Sequence, residues 1–157
     1  MPKILKTITL PNPILRKISK NIDDKTIKDK KFKVFCASLV ATMIKKDGVG
    51  LAAPQVGKNI RAFAIDTKEG PIVFINPLLK KLSWTKEWSE DGCISVPLTF
   101  GKVKRSKKIV CEYTDINGER QEIEANGMMA FVIQHENDHL DGILFIDKAK
   151  EIEKIEK

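Results

Sequence analysis

Two segments with helical periodicity flank a series of short strand-like segments, and this order constrains the fold more than any other feature. In the first segment, 26–46, apolar residues recur at i, i+3 and i+4, and the pattern ends at Gly48. The second begins near Gly127 and continues through residue 139. The strand candidates between them are 61–66, 71–77 and 82–89.

A β-hairpin is predicted between the last of these strands and the second helix. The segments 107–115 and 120–125 alternate apolar and polar residues, and the Asn117-Gly118 pair between them favours a type I′ turn. The order helix, strands, helix predicts an α+β fold with antiparallel sheets packed around the second helix. We expect one domain over residues 1–157, with the other helix in its N-terminal half.

Composition excludes several classes of protein. The 157 residues are 42% hydrophobic and 31% charged, as in soluble globular proteins, and no stretch approaches the roughly 18 apolar residues of a membrane span. Cys36, Cys93 and Cys111 are odd in number and widely spaced, which argues against a disulfide framework. The N-terminal residues carry no secretory pattern, so the expected location is the cytoplasm.

The net charge of +7 is concentrated at one end of the chain. Residues 1–33 hold ten Lys and Arg against three Asp, while the rest of the chain is balanced. A basic surface of this kind favours a polyanion such as RNA, but an ordinary solvated face explains it equally simply. Charge alone therefore leaves both interpretations open, with the solvated face favoured.

Both histidines of the chain, His135 and His139, lie in the second helix with Glu136 beside the first. They share its predicted buried stripe with Met128, Phe131 and Val132. Side chains four positions apart on a helix lie one above the other, so two imidazoles can bind one metal ion. Glu136 is then placed to take a proton from a metal-bound water, as in H-E-x-x-H sites. The alternative is a pair of hydrogen-bonded core histidines.

A catalytic metal usually has three protein ligands, and the third is a cysteine or a carboxylate here. Cys93 follows Gly92 in "EDGCISVP", whereas Cys36 and Cys111 lie on apolar patterns typical of core cysteines. Glu151 or Glu153 is the alternative, which the short remaining chain disfavours.

The segment "GVGLAAPQVG", residues 48–57, lacks the spacing of a phosphate-binding loop. It is either a helix cap followed by a loop, or a backbone strip that pairs with an extended ligand. In the second case the Gln55 amide is placed to stabilise an oxyanion.

Taken together, these segments resemble the peptide deformylase family. The family motifs G-φ-G-φ-A-A-x-Q, E-G-C-φ-S and Q-H-E-x-D-H correspond in order to Gly48–Gln55, Asp91–Ser95 and Gln134–His139. The similarity continues outside the motifs, from "LPNPILRK" near the start to "LDGILFID" at 140–147.

The resemblance implies a role for each motif residue. Cys93, His135 and His139 correspond to the ligands of one divalent ion, expected to be Fe2+ in the cell, with Zn2+, Ni2+ or Co2+ as substitutes. Glu136 corresponds to the general acid/base, and the Gln55 side chain and the Ile94 N–H to the oxyanion donors. The implied reaction is attack of metal-bound hydroxide on the formyl group of N-terminal formyl-methionine, with release of formate.

The resemblance also implies a peptide site and a support for the metal loop. The residues implied in peptide binding are Val49, Gly50, Gly92, Met128, Phe131 and Val132. Asp91 stands where the family has glutamate and is expected to support the loop through Arg105, with Glu90 as a substitute. Phe100 occupies a stretch in which many bacterial members have an arginine.

The expected partners are nascent formyl-methionyl peptides, and the expected state is a monomer. A ribosome contact is left open, because the tail 148–157 offers Ile152 and Ile155 for no more than a short amphipathic turn. Two other functions are compatible with parts of the sequence: an H-E-x-x-H amidase or peptidase acting on unformylated peptides, and a deformylase-like binding protein without activity. The complete set of catalytic residues disfavours both.

Overall fold

The computed structural model describes residues 2–155. Within them the α-helices are α1 (Asp24–Lys28), α2 (Lys30–Lys45) and α3 (Gly127–Leu140). The strands are β1 (Gly50–Ala52), β2 (Ala62–Thr67), β3 (Gly70–Lys80), β4 (Lys86–Cys93), β5 (Val96–Ser106), β6 (Lys108–Thr114), β7 (Arg120–Asn126) and β8 (Lys150–Lys154). The predicted α+β class is confirmed.

The strands form two antiparallel sheets. The larger has five strands in the order β1-β2-β3-β6-β7, and the smaller has three in the order β4-β5-β8. Helix α2 contacts the first three strands of the larger sheet, whereas α3 contacts strands of both sheets. The central position predicted for α3 is therefore correct.

The larger sheet is packed on both faces, and alternation along its strands decides which residue faces which side. Ala64 and Ile75 belong to the apolar cluster beneath α2, while their chain neighbours Phe63 and Phe74 belong to the cluster that includes α3. Successive side chains along a strand point to opposite faces of the sheet, which explains this division. The predicted stripe on α2 is confirmed, because Phe32, Cys36, Leu39 and Met43 are buried there.

The first predicted helix is interrupted. Asp29 has φ −71° and ψ 136°, which ends α1, and its side chain accepts a hydrogen bond from the Lys31 N–H as the N-cap of α2. A capping aspartate inside an otherwise helical pattern thus divides 26–46 into two helices.

Several strand predictions need correction. Only the end of 82–89 is in β4, because Ser83 bonds with the backbone of Thr85 and Lys108 and holds the preceding residues in a loop. Strand β5 is absent from the sequence prediction, and Pro97 is its second residue. The tail forms β8 against β5 instead of an amphipathic turn, and residues 156 and 157 lie outside the described part.

The turn at Asn117-Gly118 is not type I′. Of the two residues only Gly118 has a positive φ, +83°, and its N–H donates to the Asp115 carbonyl. The Asp115 side chain accepts from the N–H groups of Asn117 and Glu119. The loop is therefore a type I turn followed by a left-handed glycine, because the aspartate stabilises that geometry.

The stripe predicted to be buried on α3 is only partly buried. Met128 is 72% exposed, and the apolar contacts with the larger sheet are made by Ala130, Ile133 and Leu140. Most of the predicted stripe instead lines an open cavity, which explains the exposure of Met128, whereas His139 is buried and does not line it. No helix among residues 2–155 combines the length and apolar composition needed to cross a membrane.

Candidate metal centre

A tight hairpin presents the Cys93 thiol to α3. Strands β4 and β5 pair up to Cys93 and Val96, which leaves Ile94 and Ser95 as the turn. The thiol therefore lies at the tip of the smaller sheet and reaches helix α3 from the side.

Cys93, His135 and His139 converge on one point. One ligand atom from each residue lies within 4.8 Å of the other two. The Cys93 Sγ is 3.4 Å from the His139 Nε2, and the two imidazole ring centroids are 5.0 Å apart. Two of the three groups are one helical turn apart, so helix geometry sets their spacing.

Asp91 orients the ring of His135. The Nδ1 of His135 donates to the Asp91 Oδ2 over 2.8 Å, which leaves Nε2 directed towards the other ligand groups. The Ser89 hydroxyl donates to the other Asp91 oxygen at 2.7 Å, and Arg105 donates to Oδ2 at 2.7 Å. Arg105 in turn donates to Asp138 at 3.2 Å. The network joins the hairpin, β5 and α3.

The charges of this network are set by competition between burial and pairing. Burial favours the neutral form of Asp91, but His135 and Arg105 outweigh it and lower the pKa of Asp91 to about 2. Burial opposes protonation of His135, yet the bond to Asp91 raises the pKa of His135 to about 10, so a metal ion that binds Nε2 would displace its proton. Burial lowers the pKa of His139 well below its ordinary value, which favours the neutral form that binds metals.

The structure shows how the sequence interpretation of this support was incomplete. Asp91 reaches Arg105 despite its short side chain, while Glu90 is exposed and does not substitute for it. The direct bond from His135, the Ser89 donor and the second carboxylate, Asp138, were not foreseen. The signal for Asp138 was present, since it is three positions after His135 in the quoted motif.

Glu136 is buried beside the ligand groups. It is 4% exposed, and its Oε2 is 4.0 Å from the His135 Nε2. Gly50 makes this possible, because a Cβ at that position would be 2.6 Å from Oε2. Burial raises the pKa of Glu136 to about 7. Its Oε1 has no hydrogen-bond partner within residues 2–155, so the carboxyl group is not used by the fold around it.

Gln55 lies in a 3₁₀ helix, Ala53–Val56, directly after β1. Its Oε1 accepts from the Ala52 N–H at 2.9 Å, and its Nε2 is 3.3 Å from the Cys93 Sγ. The side chain is 2% exposed. The amide therefore points at the Cys93 thiol of the ligand cluster.

These groups open into a cavity of about 350 Å³. The predicted site residues that line it are Val49, Gly50, Gln55, Asp91, Gly92, Cys93, Ile94, Met128, Phe131, Val132, His135 and Glu136. His139 and Arg105 are buried behind this wall, at 1% and 3% exposure. Residues not predicted to line it include Lys46, Asp47 and Ser89.

Phe100 also lines the cavity, at its exposed rim. A Cβ on Gly92 would lie 2.8 Å from the Phe100 ring, so the ring rests on the glycine backbone. The cavity is bordered by β1 and β4, which are the outermost strands of their two sheets.

The residues present fit a catalytic metal. One thiol and two imidazoles supply three ligands, the number typical of catalytic zinc sites, and the cavity side is open for a fourth. Sulfur and imidazole ligands favour iron, zinc and related ions over calcium or magnesium. The bond from His135 to Asp91 is the support that metal-bound histidines usually have.

Comparison with known proteins assigns the family. The family model described as polypeptide deformylase matches residues 4–155. Peptide deformylase 2 of Gloeobacter violaceus is 42% identical over 147 residues, which are 90% of this chain and 77% of that protein. Peptide deformylase of Fusobacterium nucleatum is 42% identical over 142 residues, 90% of this chain and 81% of that protein.

Solved structures agree in fold. The crystal structure of peptide deformylase from Thermotoga maritima has a TM-score of 0.90 at 39% identity, covering 94% of this chain and 99% of that one. The enzyme of Synechococcus elongatus, solved with actinonin, has a TM-score of 0.88 at 35% identity, covering 96% and 82%. The resemblance drawn from the three motifs is thereby confirmed, and the chain belongs to the polypeptide deformylase family.

Proposed function

We propose that this enzyme removes the formyl group from the N-terminal formyl-methionine of newly made polypeptides and releases formate. The observation that carries the proposal is the convergence of one thiol, two imidazoles and the Glu136 carboxyl group at the wall of a peptide-sized cavity. We assign the whole chain, 1–157, to one catalytic domain.

Cys93, His135 and His139 are the proposed ligands of one divalent ion. When bound, such an ion lowers the pKa of a water molecule and so makes a strong nucleophile available at neutral pH. Asp91 and Arg105 hold the His135 ring in the orientation that leaves its Nε2 free to bind. Fe2+ is the proposed physiological ion, because thiolate and imidazole ligands suit it, and Zn2+, Ni2+ or Co2+ would suit the same ligands.

Glu136 is the proposed general acid and base. Its carboxylate takes a proton from the attacking water as the water oxygen bonds to the formyl carbon. The C–N bond of the formamide then breaks, and the same carboxyl group returns the proton to the leaving amine, so that formate is released. The orphan Oε1 supports this role, since no other group in residues 2–155 competes for it.

Gln55 and Ile94 are the proposed oxyanion donors. Gln55, which follows β1, and Ile94, in the hairpin turn, line the same cavity as Glu136 of α3. Preformed donors of this kind stabilise the developing charge without reorganising during the reaction. The rigid bond from Ala52 to the Gln55 Oε1 favours such preorganisation.

The peptide is proposed to bind as an extended strand between the two sheets. Val49 and Gly50 on the β1 side and Gly92 on the β4 side would pair with its backbone. The methionine side chain would contact the apolar wall of Met128, Phe131 and Val132. The enzyme is proposed to act as a monomer in the cytoplasm on nascent formyl-methionyl polypeptides.

The test is formate release from formyl-Met-Ala-Ser by iron-loaded protein kept free of oxygen. We expect formate from the wild type and from Glu69→Ala, a matched change in the exposed β2–β3 turn, but none from Glu136→Ala with its metal retained. Acetyl-Met-Ala-Ser should not be hydrolysed.

Two results would contradict the proposal. Cleavage of unformylated Met-Ala-Ser would make the protein a peptidase. Absence of formate at full metal content would favour a binding protein.

A further inference from the structure

A segment near the N-terminus links the two loops that carry the proposed oxyanion donors. The N–H of Ile8 donates to the Gln55 carbonyl at 2.8 Å, and the N–H of Leu10 donates to the Ser95 carbonyl at 3.0 Å. Residues 8–10 therefore bridge the Gln55 helix and the hairpin turn that holds Ile94.

Ser95 closes this link through its side chain. The residue is 0% exposed, and its hydroxyl donates to the Ile8 carbonyl at 2.8 Å. Because that hydrogen is used, the oxygen faces Gln55 with its lone pairs, and it accepts from the Gln55 Nε2 at 3.3 Å.

The Gln55 amide is consequently held at three points. Its oxygen accepts from Ala52, one amide hydrogen is directed to the Ser95 hydroxyl, and the other is directed to the Cys93 sulfur at 3.3 Å. An amide has only two hydrogens, so the bond with Ser95 decides which of them is left for the reaction site.

We infer that Ser95 is a positioning residue for catalysis: it holds one hydrogen of the Gln55 amide, so that the other, which faces the Cys93 sulfur at the reaction site, is the one presented to the substrate oxyanion. The inference rests on the proposed oxyanion role of Gln55. Ser95 acts through Gln55 and not on the substrate, and the Ile8 carbonyl holds the Ser95 hydroxyl in place. Without the Ser95 hydroxyl, the Gln55 amide keeps its hydrogen bond from the Ala52 N–H but loses the bond that fixes the direction of its own hydrogens.

The test compares Ser95→Ala with Ser38→Ala. Ser38 is also a buried serine bonded to the N-terminal segment, through the Lys3 N–H, but it has no bond to Gln55 among the described residues. We expect kcat of Ser95→Ala to fall about tenfold, less than the loss of a whole donor, with KM within about twofold. Ser38→Ala should keep the wild-type kcat. Ser95→Thr, which keeps a hydroxyl group, should retain most of the kcat that Ser95→Ala loses.

A double-mutant cycle with Gln55→Ala separates positioning from a general structural role. If Ser95 acts through Gln55, its substitution should lower kcat in the wild type but not in the Gln55→Ala background. Equal losses in both backgrounds would overturn the inference while leaving the proposed function intact. A wild-type kcat in Gln55→Ala would instead refute the oxyanion role, and this inference with it.

A readout independent of activity is the side-chain amide of Gln55 in ¹⁵N-labelled protein. In the wild type its two hydrogens should have distinct shifts and slow exchange with water. In Ser95→Ala the hydrogen that faced the hydroxyl should exchange faster, and unchanged exchange would contradict the inference. If Ser95→Ala does not fold, Ser95→Cys keeps the volume with a weaker hydrogen bond and is measured in the same two ways.

Discussion

The two sheets of this molecule bury opposite kinds of side chain. The five-stranded sheet packs apolar residues on both faces, among them Phe63, Phe74 and Ile75, each 0% exposed. The three-stranded sheet directs Asp91 and Arg105 inwards, where both are less than 10% exposed. The first sheet therefore supplies apolar packing, and the second holds Asp91 and Arg105 in place beside the proposed metal ligands.

The difference has an energetic cause. Burial of apolar surface is favourable by about 25 cal/mol per Å². Burial of a carboxylate is unfavourable unless its partners replace water, as Arg105, His135 and Ser89 do around Asp91. The three-stranded sheet, which buries charged side chains, therefore contributes little net stability. Its position beside the proposed metal ligands fits a functional role.

The largest difference is expected in thiol reactivity. It should distinguish Cys93 on the three-stranded sheet from Cys111 on the five-stranded sheet and from Cys36 on α2, which packs against that sheet. Burial raises the pKa of Cys36 to about 12 and that of Cys111 to about 11, both in apolar clusters. Cys93 is half-buried and lines the cavity. Iodoacetamide at about pH 8 should alkylate Cys93 alone in metal-free protein, because the other two are neutral and enclosed. Peptide mass spectrometry measures the site.

Two controls belong to this labelling experiment. Bound zinc should protect Cys93, and unfolded protein should be labelled at all three cysteines. Labelling of Cys93 at the same rate with and without zinc would contradict its role as a ligand.

The next largest effect is expected for Arg105→Met. Loss of the guanidinium leaves Asp91 buried without its cation, which typically costs about 3–5 kcal/mol of unfolding free energy. Metal affinity should fall about 10–100-fold, because Asp91 no longer holds His135 firmly. Urea unfolding of metal-free protein and a zinc titration measure the two quantities. The matched control, Arg120→Met, removes a more exposed arginine and should change stability by about 0–1 kcal/mol.

Gln55→Ala tests whether activity can be lost without loss of the fold, at a residue that follows β1 of the five-stranded sheet. Removal of one oxyanion donor typically costs about 2.7–4 kcal/mol of transition-state stabilisation. We therefore expect formate release to be almost completely lost while the circular dichroism spectrum stays the same as that of the wild type. Gln121→Ala, on the exposed β6–β7 hairpin, is the control. Substantial residual activity in Gln55→Ala would argue against the oxyanion assignment.

Ile75→Val, on the five-stranded sheet, should have the opposite effect: lower stability with unchanged activity. Loss of one buried methylene group should lower the unfolding free energy by about 0.5–1.5 kcal/mol. The value of kcat/KM should stay at that of the wild type, because Ile75 belongs to the apolar cluster under α2. A clear fall in kcat/KM would show that the two sheets are not independent.

The smallest effect concerns the hairpin far from the cavity. Burial opposes ionisation of Asp115, but its bonds with Gln121 and the turn backbone prevail, and its pKa lies below the ordinary 3.8. Its contribution to stability is therefore fully present above 3.8 and is lost as pH falls through the lower folded value. The stability difference between wild type and Asp115→Ala, from urea unfolding, should shrink on acidification below pH 3.8. A constant difference would contradict this.

Prediction from the sequence succeeded where the pattern was local. The stripe on α2, the helix carrying His135 and His139, and the strands near 61–66 and 71–77 all depend on spacing within one element. The division at Asp29 and the turn at Gly118 were missed because one capping or turn side chain outweighed the propensity of its neighbours.

The sequence by itself determined which residues are proposed to carry the chemistry, because ligand types and helical spacing are properties of short segments. Only the tertiary structure decided what surrounds them: that Asp91 binds His135 directly, that β8 pairs with β5, and that residues 8–10 join Gln55 to Ser95. These contacts link groups 40 or more residues apart along the chain. No local pattern encodes such pairs, since they form only when the packing of both sheets against α3 brings them together.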